Sequence, residues 1–277
     1  MPTDALQPRP VPLPRWHRLD PRDALLAATR PLAQCVNIPA TELAERAHEL
    51  PPRDEVVCVS SIDAMAAARA VDWLRASGRA AILAPDATFP GNDAATGAAG
   101  EGPVGGRLWE PTAFLVEAVA ALPPGDALEL ACGTGRDAVY LASMGWRVTA
   151  VDVLPDALDR GRSLEQRYSR GAPIEWRCAD LERGAPPFAD RAFDLITAFR
   201  FLHRPLFARL AEHLRPAGSI VLETFTTEHR ARHGKPARDA FVLAPGELLS
   251  LVPGLTVAHF SEAWRGSSHT ARLWARA

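Results

Sequence analysis

The chain has few of the sequence features that mark nucleic-acid-binding proteins and membrane proteins. Only one of its 31 basic residues is a lysine, Lys235, and the formal net charge is −2. Binding to nucleic-acid phosphates needs a basic surface, so this balance argues against a nucleic-acid partner. No apolar run approaches the roughly 18 residues that a membrane-spanning helix needs, so the sequence predicts no membrane association.

Cysteine is also scarce, and the spacing of its residues follows no CxxC pattern: Cys35, Cys58, Cys132 and Cys178. This spacing favours neither a zinc site nor a disulfide framework, and we expect no metal centre. The N-terminus lacks the basic and apolar regions of a signal peptide. These absences together predict a cytoplasmic protein.

Composition divides the 277 residues into four segments. Five prolines in residues 1–17 predict a loosely ordered tail, and the Gly- and Ala-rich residues 91–107 predict a flexible linker. Residues 18–90 show a short α/β pattern. Residues 108–277 repeat the strand–helix alternation that is typical of a parallel sheet.

The periodicity of apolar residues locates individual elements within the two α/β segments. In the first segment it predicts two helices, at 41–50 and 63–76, and two strands, at 55–59 and 80–83. In the second segment it predicts four helices, at 112–121, 136–143, 155–168 and 204–214. The parallel strands are predicted at 127–131, 147–151, 174–178, 193–198 and 219–224. Two closely spaced strands, 255–262 and 270–275, predict an antiparallel end to the sheet, and residues 225–244 are predicted to form a long loop.

One stretch of the second segment indicates a ligand site. A short apolar strand that contains Glu129 runs into a turn with Gly133 and Gly135, and a helix follows. Glycines allow the backbone to approach a ligand, and the helix N-terminus offers unpaired N–H groups. The next strand ends in Asp152, so the order is strand, glycine turn, helix, strand and acid, which is typical of a nucleotide-cofactor site.

The acid inside the first strand narrows the type of cofactor. A carboxylate four residues before Gly133 would repel a bound diphosphate, whereas it would attract a cationic ligand. The sequence Glu129-Leu-Ala-Cys-Gly-Thr-Gly135 resembles motif I of S-adenosylmethionine-dependent methyltransferases. This resemblance implies a Rossmann-like, mostly parallel sheet with an antiparallel terminal strand, and it implies S-adenosyl-L-methionine as the cofactor.

The same resemblance implies roles for individual residues. Glu129 would organise the methionine part of the cofactor, Asp152 would bind the ribose hydroxyls, and Asp180 would lie near the adenine. The full set of cofactor-binding residues that we predict is Glu129, Ala131, Cys132, Gly133, Thr134, Gly135, Asp152, Val153, Asp180, Leu181 and Phe199. Cys132 is interpreted as a packing residue, because no base lies near it in the sequence.

The catalytic and acceptor residues are less clearly indicated. His203 and Arg200 follow the fourth strand, and His203 is either a general base or a helix cap before Pro205. Correct placement of a thiol, thiolate or metalloid beside the sulfonium can also suffice without a base. We predict that Trp109, His229 and Arg232 contribute to the substrate site, although the last two also suit a solvated loop.

The segment from Leu130 to Asp152 resembles the tellurite-resistance and thiopurine methyltransferases, which implies a small-molecule acceptor such as a thiol or metalloid. Residues 18–90 resemble a rhodanese, but Val59 stands where the active thiol belongs and Cys58 is one position early. We therefore interpret residues 18–90 as a degenerate rhodanese-like domain that docks on the second domain, mediates a homodimer or covers the substrate. The alternatives are a sulfurtransferase that uses Cys58 and a non-catalytic cofactor-binding module.

Overall fold

The computed structural model describes residues 17–32, 34–84, 106–169, 171, 173–184 and 186–277. Within the chain, two compact units are separated at the boundary between Trp109 and Glu110. Residues 1–16 of the predicted tail and 91–105 of the predicted linker lie outside the described residues. The limits proposed for the two domains therefore stay predictions.

The first unit contains a parallel sheet of four strands in the order β2-β1-β3-β4. Its elements are β1 His17–Asp20, α1 Ala24–Thr29, β2 Val36–Asn37, β3 Val57–Val59, α2 Ala64–Ala76 and β4 Ala81–Leu83. Buried apolar side chains from the sheet and from α2 form one core. The connections leave β1 and β3 in opposite directions, because β1 leads to β2 at one edge and β3 leads to β4 at the other.

Helix α2 forms where the sequence predicts it, because its local signals agree. The carboxylate of Asp63 accepts hydrogen bonds from the N–H groups of Met65 and Ala66, which caps the first turn. The helix ends before Gly78, which has a φ of +76°. Its apolar face packs into the core through Ala67, Ala70, Val71 and Leu74.

Other parts of the first unit differ from the prediction. Strand β1 and helix α1 were not predicted, and the predicted helix at 41–50 is a run of turns that ends in a 3-10 turn, Ala47–Glu49. A segment this short has little helical stability of its own. Burial of Leu43 and Leu50 and the ion pair between Arg46 and Glu49 determine its course instead.

The second unit contains a sheet of seven strands in the order β10-β11-β9-β8-β5-β6-β7. The strands are β5 Asp126–Leu130, β6 Arg147–Asp152, β7 Glu175–Cys178, β8 Phe193–Phe199, β9 Leu214–Phe225, β10 Thr256–Arg265 and β11 Ser268–Arg276. Strand β11 runs antiparallel to both β10 and β9, and the other strand pairs among the described residues of this sheet are parallel. The predicted α/β class and mostly parallel sheet are confirmed. The antiparallel strand β11 is the last in the chain, but it lies second from the edge of the sheet, inside β10.

The helices of this unit are α3 Ala113–Val119, α4 Arg136–Ser143, α5 Pro155–Tyr168, α6 Arg204–Phe207, α7 Thr227–His233 and α8 Glu247–Ser250. Strands β5 and β8 are neighbours, but the chain leaves β5 toward β6 and leaves β8 toward β9 on the opposite side. In open α/β sheets, ligands bind at the carboxyl ends of the strands where the strand order reverses in this way. The topology therefore places a crevice above the ends of β5 and β8.

Two predicted elements of the second unit were wrong in part. The predicted helix at 204–214 consists of α6 followed by a 3-10 turn, Leu210–His213. The predicted loop at 225–244 contains α7, none of whose residues is buried. The sequence of α7 therefore contains no apolar stripe that would have predicted a helix. Ring contacts, such as the stacking of His229 on Phe225, hold the helix in place instead. No helix among the described residues is long and apolar enough to cross a membrane.

Candidate cofactor site of the second unit

The turn after β5 has an unusual backbone. Ala131, Gly133 and Gly135 all have positive φ values, of +53°, +55° and +68°. For Ala131, which carries a Cβ, this conformation is strained, and such strain concentrates at functional sites. The turn is held by bonds from Cys132 N–H to the Val151 carbonyl at 3.0 Å and from Gly135 N–H to the Cys132 carbonyl at 2.9 Å.

The two glycines of the turn serve different purposes. A Cβ added to Gly133 would meet nothing within 4 Å, so this position borders open space at the carboxyl end of β5. A Cβ on Gly135 would lie 2.2 Å from the ring of Trp176. Gly133 therefore leaves room for a ligand, whereas Gly135 leaves room for an indole ring of the protein. Both glycines were predicted to contact the ligand, and the contact of Gly135 with Trp176 was not predicted.

Asp152 links the second strand to the glycine turn. One of its carboxylate oxygens accepts the N–H of Gly133 at 2.7 Å, and the other accepts the N–H of Leu154 at 3.0 Å. A carboxylate offers about four acceptor positions, so both oxygens keep capacity for hydroxyl donors. The side chain is buried and faces the turn, and the ribose contact stays a prediction.

Glu129 is buried inside β5, and its Oε2 atom has no hydrogen-bond partner. Burial raises the pKa of this carboxyl well above its ordinary value, and the nearby carboxyls of Asp137 and Asp152 raise the pKa further. A buried acid with an unpartnered oxygen stores unfavourable free energy that a cationic group can offset. The ammonium and sulfonium charges of S-adenosylmethionine provide such a cation, so the residues present fit this cofactor.

A contact between the start of α3 and the first turn of α4 was not predicted from the sequence. The carboxylate of Asp137 accepts hydrogen bonds from the backbone N–H of Thr112 at 2.6 Å and from its hydroxyl at 2.7 Å. Burial raises the pKa of Asp137 despite these bonds. An acid in the first turn of a helix was the only signal in the sequence, and it does not reveal a partner 25 residues away.

Cys132 lies within the turn, where burial and the carboxyls of Glu129 and Asp152 raise the pKa of its thiol. The thiol is therefore protonated at neutral pH and is a poor nucleophile. Thr134 lies in the same turn, between the two glycines.

The predicted adenine contacts lie at the ends of β6 and β7. Val153 follows β6 and is half exposed, which leaves an apolar surface for a planar ring. Asp180 and Leu181 follow β7, and one carboxylate oxygen of Asp180 accepts the N–H of Glu182 at 2.9 Å. The structure thus brings these three residues to the same edge of the sheet as the glycine turn, while part of the Asp180 carboxylate is used locally.

The end of β8 carries the predicted catalytic candidates. Phe199 is the last residue of the strand, and Arg200 follows it with a φ of +58°, held by a bond from its N–H to the Glu223 carbonyl at 2.8 Å. His203 precedes α6, and its side chain does not cap that helix. The Nδ1 atom of His203 is buried and has no hydrogen-bond partner, which is compatible with a proton acceptor.

The predicted substrate residues lie in two places. His229 and Arg232 belong to α7, which follows β9 at the carboxyl edge of the sheet. The guanidinium of Arg232 lies 4.7 Å from the centre of the Trp264 ring. Trp109 is 1% exposed and belongs to the first compact unit, so its assignment to the substrate site rests on the sequence alone. Among the described residues, no group of three or more His, Cys, Asp or Glu side chains could hold a metal ion.

Comparison with known families agrees with this geometry. Residues 127–218, which include the glycine turn, Asp152, Asp180 and the end of β8, match the family model described as "Methyltransferase domain". This segment is a methyltransferase domain. The match covers residues 127–218 of the 277-residue chain, so it characterises this segment and not the whole protein.

Relatives of the methyltransferase domain have diverse names. The chain is 30% identical to nodulation protein S of Rhizobium tropici over 116 residues, which are 39% of this chain and 46% of that protein. It is 31% identical to probable thiol methyltransferase 2 of Arabidopsis thaliana over 134 residues, with coverages of 45% and 58%. The chain spans about half the length of the curated relatives that it matches.

Solved structures also show similarity to this chain. The N-methyltransferase NodS from Bradyrhizobium japonicum WM9, in complex with S-adenosyl-L-homocysteine, is 20% identical and gives a TM-score of 0.47. The overlap covers 59% of this chain and 83% of that one.

Proposed function

We propose that this protein transfers the methyl group of S-adenosylmethionine to a small-molecule acceptor. The observation that carries the proposal is the buried Glu129, whose unpartnered oxygen lies beside a glycine turn at the point where the strand order reverses. A buried carboxylate is costly to the free protein, so its presence there is explained by a cationic ligand.

Three groups of residues would hold the cofactor. Glu129 would bind the ammonium end, with Gly133 allowing close approach of the backbone. Asp152 would accept hydrogen bonds from the ribose hydroxyls through the oxygens that already fix the turn. The half-exposed Val153, together with Asp180 and Leu181, would contact the adenine. When bound, the cofactor supplies an electrophilic methyl group on a positively charged sulfur.

The chain would act on the acceptor chiefly by positioning it at the end of β8. Transfer from a sulfonium needs in-line placement of a nucleophilic atom, and a thiolate or metalloid needs no further activation. For an acceptor that must lose a proton, His203 is the candidate base, because its buried Nδ1 atom has no other partner. Arg200, exposed beside it, would contact an acidic group of the acceptor.

We propose a thiol or a metalloid as the acceptor class. The resemblance of the segment from Leu130 to Asp152 to the tellurite-resistance and thiopurine enzymes supports this proposal, as does the name of the plant relative. His229 and Arg232 on α7 would border the acceptor, because α7 follows β9, the strand next to β8. The acidic overall charge disfavours RNA as the acceptor.

The test of this function combines binding and turnover. Calorimetric titration of the full chain with S-adenosylmethionine should show binding, and S-adenosylhomocysteine should be released when small thiols, selenite or tellurite are added. Binding without turnover on any of these acceptors would exclude the acceptor class but keep the cofactor site. Turnover that requires added RNA or protein would overturn the proposal of a small-molecule acceptor.

For the first unit we propose a rhodanese-like module without sulfurtransferase activity. Cys58 lies inside β3, is fully buried, and has a pKa that burial raises. A buried thiol cannot attack a sulfur donor as a thiolate. Thiosulfate:cyanide turnover that disappears in Cys58→Ser would contradict this proposal. A homodimer through this unit is an additional proposal, which sedimentation analysis would test.

A further inference from the structure

A second crevice lies in the first unit, at the carboxyl ends of β1 and β3. These strands are neighbours, with Leu19 opposite Val59, and their connections lead to opposite edges of the sheet. Crossovers between parallel strands are right-handed, so the connection from β1 to β2 and the connection from β3 to β4 cover opposite faces of the sheet. A gap remains between the starts of these two connections. This unit therefore has its own reversal of strand order, separate from the reversal at β5 and β8.

A cavity of about 450 Å³ occupies this gap. Its volume falls within the range of roughly 300–1,000 Å³ that is typical of small-molecule sites. One wall follows β1 and carries Arg22, Leu26 and Arg30, whereas the other follows β3 and carries Ile62, Ala64 and Met65. We refer to this cavity and its walls as the β1–β3 crevice.

The walls of the β1–β3 crevice are apolar and unusually exposed. Leu26 is 54% exposed, Ile62 is 52% exposed and Met65 is 66% exposed. Large apolar side chains that gather around a cavity and remain open to solvent are typical of surfaces that bind an apolar group. The body of a ligand that fits here is therefore apolar.

Among the described residues that line the crevice, one cation has no carboxylate partner. Arg22 is buried and is bound to Asp20 through two hydrogen bonds, of 2.9 and 2.7 Å, so its charge is compensated. Asp63 also lines the crevice, but its carboxylate caps α2. Arg30 is exposed and has no carboxylate partner among the described residues. An anionic group on the ligand would supply that partner.

We propose that the β1–β3 crevice binds a small organic anion with an apolar body, such as a short aliphatic carboxylate. The carboxylate pairs with Arg30, and the apolar body lies against Leu26, Ile62 and Met65. This site is independent of the methyltransferase domain, and its test does not depend on methyl transfer.

The sequence provides a local probe, because it contains only three methionines, Met1, Met65 and Met144. We would label the methionine methyl groups of the full chain with ¹³C, assign Met65 by its loss in Met65→Leu, and titrate with hexanoate. The expected result is a saturable shift of the Met65 signal, while the signal of Met144, in the second unit, stays constant. 1-Hexanol and acetate, which lack the charge and the apolar body respectively, should each bind at least about tenfold more weakly.

Two variants and a matched control complete the test. Arg30→Gln should weaken hexanoate binding about tenfold and leave 1-hexanol binding unchanged. Ala64→Phe should fill the cavity and abolish the shift, with the melting temperature showing that the unit still folds. Arg53→Gln changes an arginine that binds the Ser77 carbonyl at the other end of α2, and it should have no effect. The proposal would be overturned if the Met65 signal did not shift at millimolar hexanoate. It would also be overturned if Arg30→Gln bound hexanoate with the same affinity as the wild type.

Discussion

The carboxylate of Asp152 accepts the backbone N–H of Gly133 at 2.7 Å. The acid that ends β6 thus fixes the turn that follows β5, and it holds that turn in the conformation in which Gly133 faces open space. Because the same carboxylate accepts the N–H of Leu154, a single side chain organises both loops of the candidate cofactor site.

Replacement of Asp152 should therefore affect the turn as well as the ribose contact. Asp152→Ala should weaken S-adenosylmethionine binding by more than about tenfold, since it removes charge-assisted hydrogen bonds. Asp152→Asn, which keeps one acceptor oxygen, should fall between this variant and the wild type. Calorimetric titration measures both. Asp159→Ala, at an exposed acid of α5, is the matched control, and equal affinity in Asp152→Ala and the control would refute the assigned role.

Glu129 should show opposite effects on stability and binding. Its folded-state pKa is raised well above the unfolded value, so at neutral pH folding costs free energy, either to bury the ionised carboxyl or to protonate it. This cost is full above the folded pKa, decreases as the pH falls below it and is gone below the unfolded pKa. Glu129→Gln should consequently raise the free energy of unfolding at pH 7.5 and weaken cofactor binding by more than about tenfold. Chemical denaturation and calorimetry provide the two values. Glu182→Gln, at an exposed acid, is the control, and a loss of stability in Glu129→Gln would contradict the prediction.

The two glycines of the turn offer a matched pair of substitutions. Both have positive φ, so an alanine at either costs roughly 1–2 kcal/mol in backbone strain. Gly135→Ala should cost about 1–3 kcal/mol more, because its Cβ would overlap the Trp176 ring. Gly133→Ala should mainly weaken cofactor binding, because its methyl group would occupy open space at the site. Thermal denaturation and calorimetry separate these outcomes.

A second substitution can confirm the cause of the instability in Gly135→Ala. Trp176→Leu removes the ring that the new methyl group would meet, so the double variant should be less destabilised than the sum of the single variants. Strict additivity would show that the indole ring is not the reason for glycine at position 135.

The attachment of α7 should depend on pH. His229 stacks on Phe225, with ring centres 4.2 Å apart, and its Nδ1 atom accepts the backbone N–H of His269, which only a neutral ring can do. Burial lowers the pKa of His229, and the nearby His233 and His269 lower it further. The unfolded state therefore binds more protons, so stability from these contacts is present above the unfolded pKa of about 6.5 and is lost as the pH falls below it.

His229→Phe keeps a flat ring but removes the titrating group. The difference in free energy of unfolding between pH 7.5 and pH 5.5 should be smaller in this variant than in the wild type. His259→Phe, at an exposed histidine of β10, should retain the wild-type difference. An unchanged pH dependence in His229→Phe would show that His229 does not link α7 to proton binding.

Much of the second unit could be predicted from local signals. Helices at 136–143 and 155–168 have the predicted limits, since a left-handed Gly135 begins the first and Pro155 begins the second. The strands of the sheet were recognisable as apolar runs of the expected length. By contrast, α7 lacks an apolar stripe and was predicted as loop, and α1 and β1 were missed in the first unit.

Sequence alone determined the glycine turn, the acids at the ends of β5 and β6, and the alternation that specifies a mostly parallel sheet, because each of these depends on residues close together in the chain. Only the tertiary structure showed that Trp176 requires glycine at position 135, that Thr112 binds Asp137, and that the β1–β3 crevice is open beside Arg30. Each of these features joins residues from separate elements. Packing over such separations depends on the shape of the whole unit, which no local pattern of residues encodes.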